Sequence, residues 1–270
     1  MLLLDDDSDY LGEEDKNEFI FYRVEQVTDI DNLIELYRQY NPFELACIFK
    51  AKFARFLFSD VKLETLFYLD TDLFFYSSFQ LAEHLLLQAN IVLTPHRVIP
   101  ESLKSRAEIY EEAGQLSTGL YNMGYFGLRH SLETLRFLDW WDERTETNCR
   151  RDLGRGFFDD QLWVNAAPVL FEEVVVIKDQ GYNVSNWNLN ERELSKKKNV
   201  FYANKSPLIF FHFSQANVLQ EKFLTSYRNI LVDEDPVLKE IYREYRTEML
   251  SAGLEEIRTL PFSKCFELVP

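Results

Sequence analysis

Cysteine is scarce in this 270-residue chain, and its three copies, Cys47, Cys149 and Cys265, are far apart and odd in number. That pattern supplies neither a disulfide framework nor a paired CxxC zinc site, and it fits a reducing cytoplasm. Basic residues are also in deficit, 29 Lys and Arg against 45 Asp and Glu, for a net charge of -16. Duplex nucleic acid and anionic membrane surfaces need a basic face, so neither is expected as a partner. No stretch approaches the ~18 uncharged apolar residues of a membrane span, so no integral membrane segment is expected. Repeats, low-complexity tracts and a linker rich in Pro, Gly and Ser are missing too. What remains is 46% apolar and 15% aromatic content, enough to bury a substantial core in one large domain or in a domain with a small appendage.

Asp70-Thr71-Asp72 is the most informative feature. It follows the apolar run Leu66-Phe67-Tyr68-Leu69 and precedes Leu73-Phe74-Phe75. Such a run reads as a strand buried on both faces, as in a parallel sheet, and ligands of these sheets bind beyond the strand carboxyl ends. Residues two apart in an extended segment point the same way, so Asp70 and Asp72 can converge on one hard cation that neutralises phosphate oxygens. Two Asp residues closing a strand also serve as plain turn or cap residues.

Strand and helix patterns alternate along the chain. Strands are expected at 2–4, 19–24, 66–69, 91–94, 120–128, 174–177 and 208–211, with an acidic loop over 5–17. Helices are expected from a cap at Asp29 or Asp31 through Tyr40, over 43–58 after Pro42, over 79–88, from Ser131 through Arg144, and over the tail 217–252. Residues 95–115 read as a mostly polar segment with the length of a lid. The alternation predicts an α/β layer architecture with a mostly parallel sheet.

Four further patterns fall at strand ends or helix starts. Tyr121-Asn122-Met123-Gly124 offers an amide to sugar hydroxyls or to a turn. Asp159-Asp160-Gln161 opens a helix, where a carboxylate caps the backbone or orients an acceptor hydroxyl and takes its proton. Gly181-Tyr182-Asn183-Val184-Ser185-Asn186-Trp187-Asn188 combines aromatic faces with amides, a sugar-holding composition or a loop satisfied by its own amides. His212, in Phe211-His212-Phe213, completes an Asp-Asp-His set suited to manganese, or is a structural histidine of an apolar strand.

Taken in order, Tyr68-Leu69-Asp70-x-Asp72, Tyr121-Asn122-x-Gly124, Asp160-Gln161, Gly181-Tyr182-Asn183 and Phe211-His212-Phe213 resemble the signatures of GT-A glycosyltransferases. The resemblance is to a bacterial set related to the glycogenin and lipopolysaccharide galactosyltransferase families, and it covers roughly residues 2–214. It implies a GT-A-like domain over 1–214 with a helical extension of the same domain over 215–270. It also implies a metal-assisted transfer of sugar from a nucleotide-diphosphate donor to a glycan or lipid-linked acceptor. Under it, Asp70, Asp72 and His212 bind Mn2+ or Mg2+. Lys52 meets a phosphate; Asn122, Gln161 and Asn183 belong to the donor and acceptor sites. Asp159 and Asp160 are the catalytic candidates for an inverting reaction, whereas the galactosyltransferase likeness favours retention.

GT-A proteins place a strand and helix before the strand that residues 1–4 match, so one βα unit is expected to be missing. A truncated or non-catalytic GT-A-like protein is therefore the rival reading. An aspartyl-phosphate phosphatase, with Asp70 as nucleophile, is the other; Phe74 stands where such enzymes carry Thr or Val.

Overall fold

The computed structural model describes residues 1–3, 17–100 and 106–259. Leu4, most of the acidic loop, residues 101–105 of the lid-like segment and Cys265 lie outside the described residues.

Short strands β1 (Leu2–Leu3) and β2 (Tyr22–Arg23) pair in parallel ahead of helices α1 (Ile30–Gln39) and α2 (Pro42–Ser59). Asp29 caps α1 by accepting the Asn32 amide at 2.9 Å. Asn41 and Glu44 exchange bonds in a capping box at the start of α2, with Pro42 in the first turn where no amide is needed. Next come β3 (Thr65–Leu69), β4 (Leu73–Phe75), α3 (Gln80–Leu86), β5 (Ile91–Pro95), α4 (Arg106–Thr118), β6 (Tyr121–Arg129) and α5 (Leu132–Asn148). The second half holds β7 (Arg151–Asp152), β8 (Phe157–Phe158), α6 (Gln161–Val164), α7 (Ala167–Leu170) and β9 (Val174–Val176). Strands β10 (Leu194–Lys197), β11 (Val200–Ala203), β12 (Ser206–Pro207) and β13 (Phe210–His212) precede helices α8 (Pro236–Ser251) and α9 (Leu254–Ile257).

The principal sheet has the order β3-β6-β5-β9, and β6 is buried throughout positions 122–128 between its two neighbours. Both neighbours run antiparallel to β6; only β5 and β9 pair in parallel within this sheet. The α/β class expected from the sequence is present, but the expectation of a mostly parallel sheet is corrected to a mixed, mostly antiparallel one. The reason lies in β3. Its continuous apolar run reads as a strand buried on both faces, yet it is an edge strand, half-buried over 66–68 and exposed at both ends.

One face of the sheet carries α2 and α5, which bury Ala51, Ala54, Phe58, Phe126, Leu138 and Trp141 in a common core. A second core sets Tyr125, Val92 and Phe210 against Ala82 and Leu86 of α3. The tail departs from the sequence expectation, because residues 217–231 form turns and bends and the helix begins only at Pro236. Asp235 fixes that start, accepting the Val237 and Leu238 amides at 2.7 and 3.1 Å. Helix α8 packs into the same core as β13, with Tyr245 stacked on Phe213 at a 3.9 Å ring separation. Among the described residues no helix is long and apolar enough to cross a membrane.

Candidate metal centre

Asp70 extends the β3–β6 ladder by one bond, donating its amide to Gly124 O at 2.8 Å. The chain then turns, Leu73 N returning to Asp70 O at 3.2 Å, and β4 pairs antiparallel with β13 so that Leu73 faces His212. The two carboxylates therefore converge through a turn rather than through the pleat of an extended segment. Ligand atoms of Asp70, Asp72 and His212 all lie within 4.8 Å of one another. The carboxylates are partly open to solvent, at 30% and 34% side-chain exposure, while His212 is buried at 4%.

A hydrogen-bond chain sets the histidine. The Gly124 amide donates to Asn122 Oδ1 at 3.1 Å, which fixes that atom as the acceptor. His212 Nδ1, also 3.1 Å from Asn122 Oδ1, must then carry a proton. Its other nitrogen, Nε2, faces Asp72 Oδ1 at 3.0 Å. In a neutral imidazole this sets a lone pair against a carboxylate, an arrangement that calls for a proton or a cation between them. Burial works against the Asp72 carboxylate, but the His212 hydrogen bond and charge outweigh it and hold its pKa below the usual value. Gly124 forms the floor. A Cβ there would lie 2.6 Å from His212 Cε1, 2.7 Å from Asp70 Oδ2 and 2.8 Å from Asn122 Oδ1, so only glycine leaves the three groups room. Two carboxylates and one imidazole within this distance could hold one divalent cation.

Lys50 is the residue that sequence reasoning missed. Its Nζ lies 3.1 Å from Asp160 Oδ2, 3.6 Å from Asp70 Oδ1 and 3.1 Å from Met123 O. Burial disfavours the ammonium, but the adjoining Asp160 and Asp70 carboxylates prevail and hold its pKa well above the ordinary lysine value. Tyr68 Oη donates to the same Asp70 oxygen at 2.7 Å. Lys52, the cation chosen from the sequence, is turned away. Positions two apart on a helix do not share a face, and Lys52 pairs with Asp142 at 3.0 Å and Glu146 at 2.6 Å of α5. The available signal was the spacing of Lys50 from Cys47 and Ala54, which places it within a buried stripe.

The other candidates divide. Asp160 reaches the cluster through Lys50, and Asp159 is held by Arg151 Nε at 2.6 Å. Neither caps α6, whose first turn has no side-chain cap. Asp159 Oδ1 is buried without a hydrogen-bond partner among the described residues, and burial raises its carboxyl despite Arg151. Asn122 spends Oδ1 on Gly124 and His212 and its amide nitrogen on His96 Nε2 at 3.3 Å, so it orients His212 rather than offering a free amide to sugar. Gln161 donates to Thr118 O at 2.6 Å and anchors the end of α4. Asn183 is buried at left-handed φ of 52°, donating to Pro95 O at 3.1 Å, while Asn188 donates to His96 O and Asn183 O, both at 2.8 Å. The amide-rich loop is thus largely satisfied by backbone, and Asn183 turns inward. Trp187 from that loop sets its ring edge-on against both His96 and His212 at 5.1 Å.

His96 links the centre to an open groove of about 480 Å³, lined also by Arg97, Gln115, Tyr121 and Lys178. Desolvation pushes the His96 pKa down to about 4, so the ring is neutral near neutral pH.

Two proteins of Bacillus subtilis (strain 168) are similar to the chain. One, named "Uncharacterized protein YfnF", is 28% identical over 188 residues, 69% of this chain and 61% of its own. The other, "Uncharacterized protein YfnD", is 29% identical over 196 residues, 71% of this chain and 59% of its own. The matched region therefore spans about three fifths of the length of these curated relatives. No family model and no solved structure matches the chain.

Proposed function

We propose that this chain is a metal-assisted glycosyltransferase, moving a sugar from a nucleotide-diphosphate donor to a hydroxyl acceptor. The observation that carries the reading is the convergence of Asp70, Asp72 and His212 on one point, with His212 held by Asn122 and the floor kept clear by Gly124. The order of motifs that resembles GT-A glycosyltransferases supports it.

Asp70, Asp72 and His212 are the residues to hold Mn2+ or Mg2+, which when bound supplies positive charge to the leaving diphosphate. In the transfer, the bond from the anomeric carbon to the diphosphate oxygen breaks, the acceptor oxygen takes its place, and the acceptor hydroxyl loses its proton. Lys50 fixes Asp70 and Asp160 relative to each other, so that the carboxylates are set before donor arrives. Asp159, with one buried oxygen unspent and its pKa raised, is the candidate to orient the acceptor hydroxyl or take its proton.

The test is release of nucleoside diphosphate from a panel of nucleotide sugars offered with mixed glycan acceptors. Release that requires Mn2+ or Mg2+ and disappears in Asp72→Asn is expected. Release that persists in excess chelator or in Asp72→Asn contradicts the proposal, as does no release from any donor by folded, metal-binding protein.

A further inference from the structure

Helix α8 packs against the strand pair that carries the metal centre. Its buried residues Leu238, Ile241, Tyr242 and Tyr245 follow the i, i+3, i+4, i+7 spacing of one helix face and join the core that holds Phe211 and Phe213. The Tyr245 ring stacks on Phe213 at 3.9 Å and lies edge-on to Phe74 at 5.9 Å. Both partners border the site. Phe74 stands two residues past Asp72, and Phe213 follows His212 and donates its amide to Asp72 O at 2.9 Å.

The tyrosine hydroxyls of this core differ in what they meet. Tyr76 Oη donates to Ile241 O at 2.9 Å, and Tyr242 Oη donates between Asn217 O and Gln220 O at 3.0 and 2.9 Å. Tyr245 is only 4% exposed, yet its hydroxyl makes no hydrogen bond among the described residues. Nor is that oxygen sealed from solvent, as the unpartnered Tyr125 Oη and Tyr182 Oη are. The ring is therefore fixed in the core while the hydroxyl stays available to something outside it. Burial, and after it the Asp72 carboxylate, push the Tyr245 hydroxyl up to about 12, so it keeps its proton near neutral pH and serves as a donor.

The centre has a use for such a donor. The Lys50 ammonium carries three protons and already faces three oxygens, of Asp160, Asp70 and Met123, at 3.1, 3.6 and 3.1 Å. A diphosphate has more oxygens than one cation can meet, and a neutral phenol bonds to one of them without adding charge to the cluster.

We propose that Tyr245 of α8 is a binding residue of this centre, its hydroxyl donating to an oxygen of the donor's diphosphate. The diphosphate rests on the transfer reading above; the unbonded hydroxyl beside the Asp72 strand pair rests on the structure of α8 alone.

The experiment is calorimetric titration of UDP, dTDP, GDP, ADP and CDP, in the presence of Mn2+, into the full chain as wild type, Tyr245→Phe and Tyr76→Phe. Mn2+ affinity and the urea midpoint are measured on the same samples. Tyr245→Phe keeps the ring and its stack on Phe213 and loses no hydrogen bond, so its urea midpoint and Mn2+ affinity are expected to match the wild type. Its affinity for the diphosphate that binds the wild type is expected to fall about tenfold, the effect of one hydrogen bond to a charged group. Tyr76→Phe, which loses the bond to Ile241 O, is expected to lower the urea midpoint and leave diphosphate affinity in place. Equal diphosphate affinity in wild type and Tyr245→Phe overturns the proposal and leaves the transfer reading standing. So does an equal loss in Tyr76→Phe, since the effect then belongs to packing of the aromatic core. No diphosphate bound by wild type that binds Mn2+ overturns the proposal and the transfer reading together.

Discussion

Asn122 holds His212 from behind: its Oδ1 lies 3.1 Å from His212 Nδ1, and the Gly124 amide fixes that oxygen as an acceptor. The pair leaves His212 Nε2 facing Asp72 Oδ1 at 3.0 Å, as the nitrogen to meet the proposed metal. Asn122→Ala should therefore weaken Mn2+ binding by about 10–100-fold, the usual effect of removing the partner of a ligand histidine. Calorimetric titration of Mn2+ checks this. Unchanged affinity would mean that His212 is not a ligand.

Gly124→Ala places a methyl group against His212, Asp70 and Asn122 at 2.6–2.8 Å. It should abolish measurable Mn2+ binding and cost about 1–3 kcal/mol of stability by overpacking. Gly114→Ala is the control, since a Cβ at Gly114 meets nothing within 4 Å. That change, inside α4, should be neutral or stabilise by about 0.5–1 kcal/mol in urea unfolding.

The two lysines of α2 should behave differently. Lys50→Met leaves the Asp160 carboxylate buried without its cation and should cost about 3–5 kcal/mol. Lys52→Met removes pairing to Asp142 and Glu146, whose side chains are 29% and 36% exposed, and should cost about 1 kcal/mol. Urea unfolding gives both numbers. Mn2+ affinity should fall in the first variant and hold in the second.

His96 gives the fold an acid sensitivity. Its pKa is lowered from 6.5 to about 4, so below pH 6.5 the unfolded chain takes a proton that the folded chain refuses. Stability from this group is full above pH 6.5 and is lost as the pH falls toward 4, by on the order of 3 kcal/mol. His96→Gln should flatten that window in urea midpoints measured against pH. An equal slope in wild type and variant would assign the sensitivity elsewhere.

Much of this was legible in the sequence where local chemistry decides. Asp29 and Ser131 cap their helices because a short oxygen-bearing side chain before an apolar-periodic run satisfies the first free amides. Asp70, Asp72 and His212 could be grouped because each borders or ends a short apolar strand. Sheet polarity was not legible, because an edge strand such as β3 can be as apolar as a central one when helices and aromatic rings cover its faces. A loop satisfied by its own amides was one of the two readings of residues 181–188, but the acceptors of Asn183 and Asn188, Pro95 O and His96 O, could not be read because they lie about 90 residues away in the chain. Lys50 was passed over for Lys52 because charge alone says nothing of which helix face meets Asp160.

Calorimetric titration of a nucleotide-sugar panel, with and without Mn2+, into the wild type and Asp72→Asn tests the central claim most directly. The account predicts binding of at least one donor that needs both Mn2+ and Asp72. Donor binding indifferent to the metal or to Asp72, or none at all by protein that binds Mn2+, would contradict it.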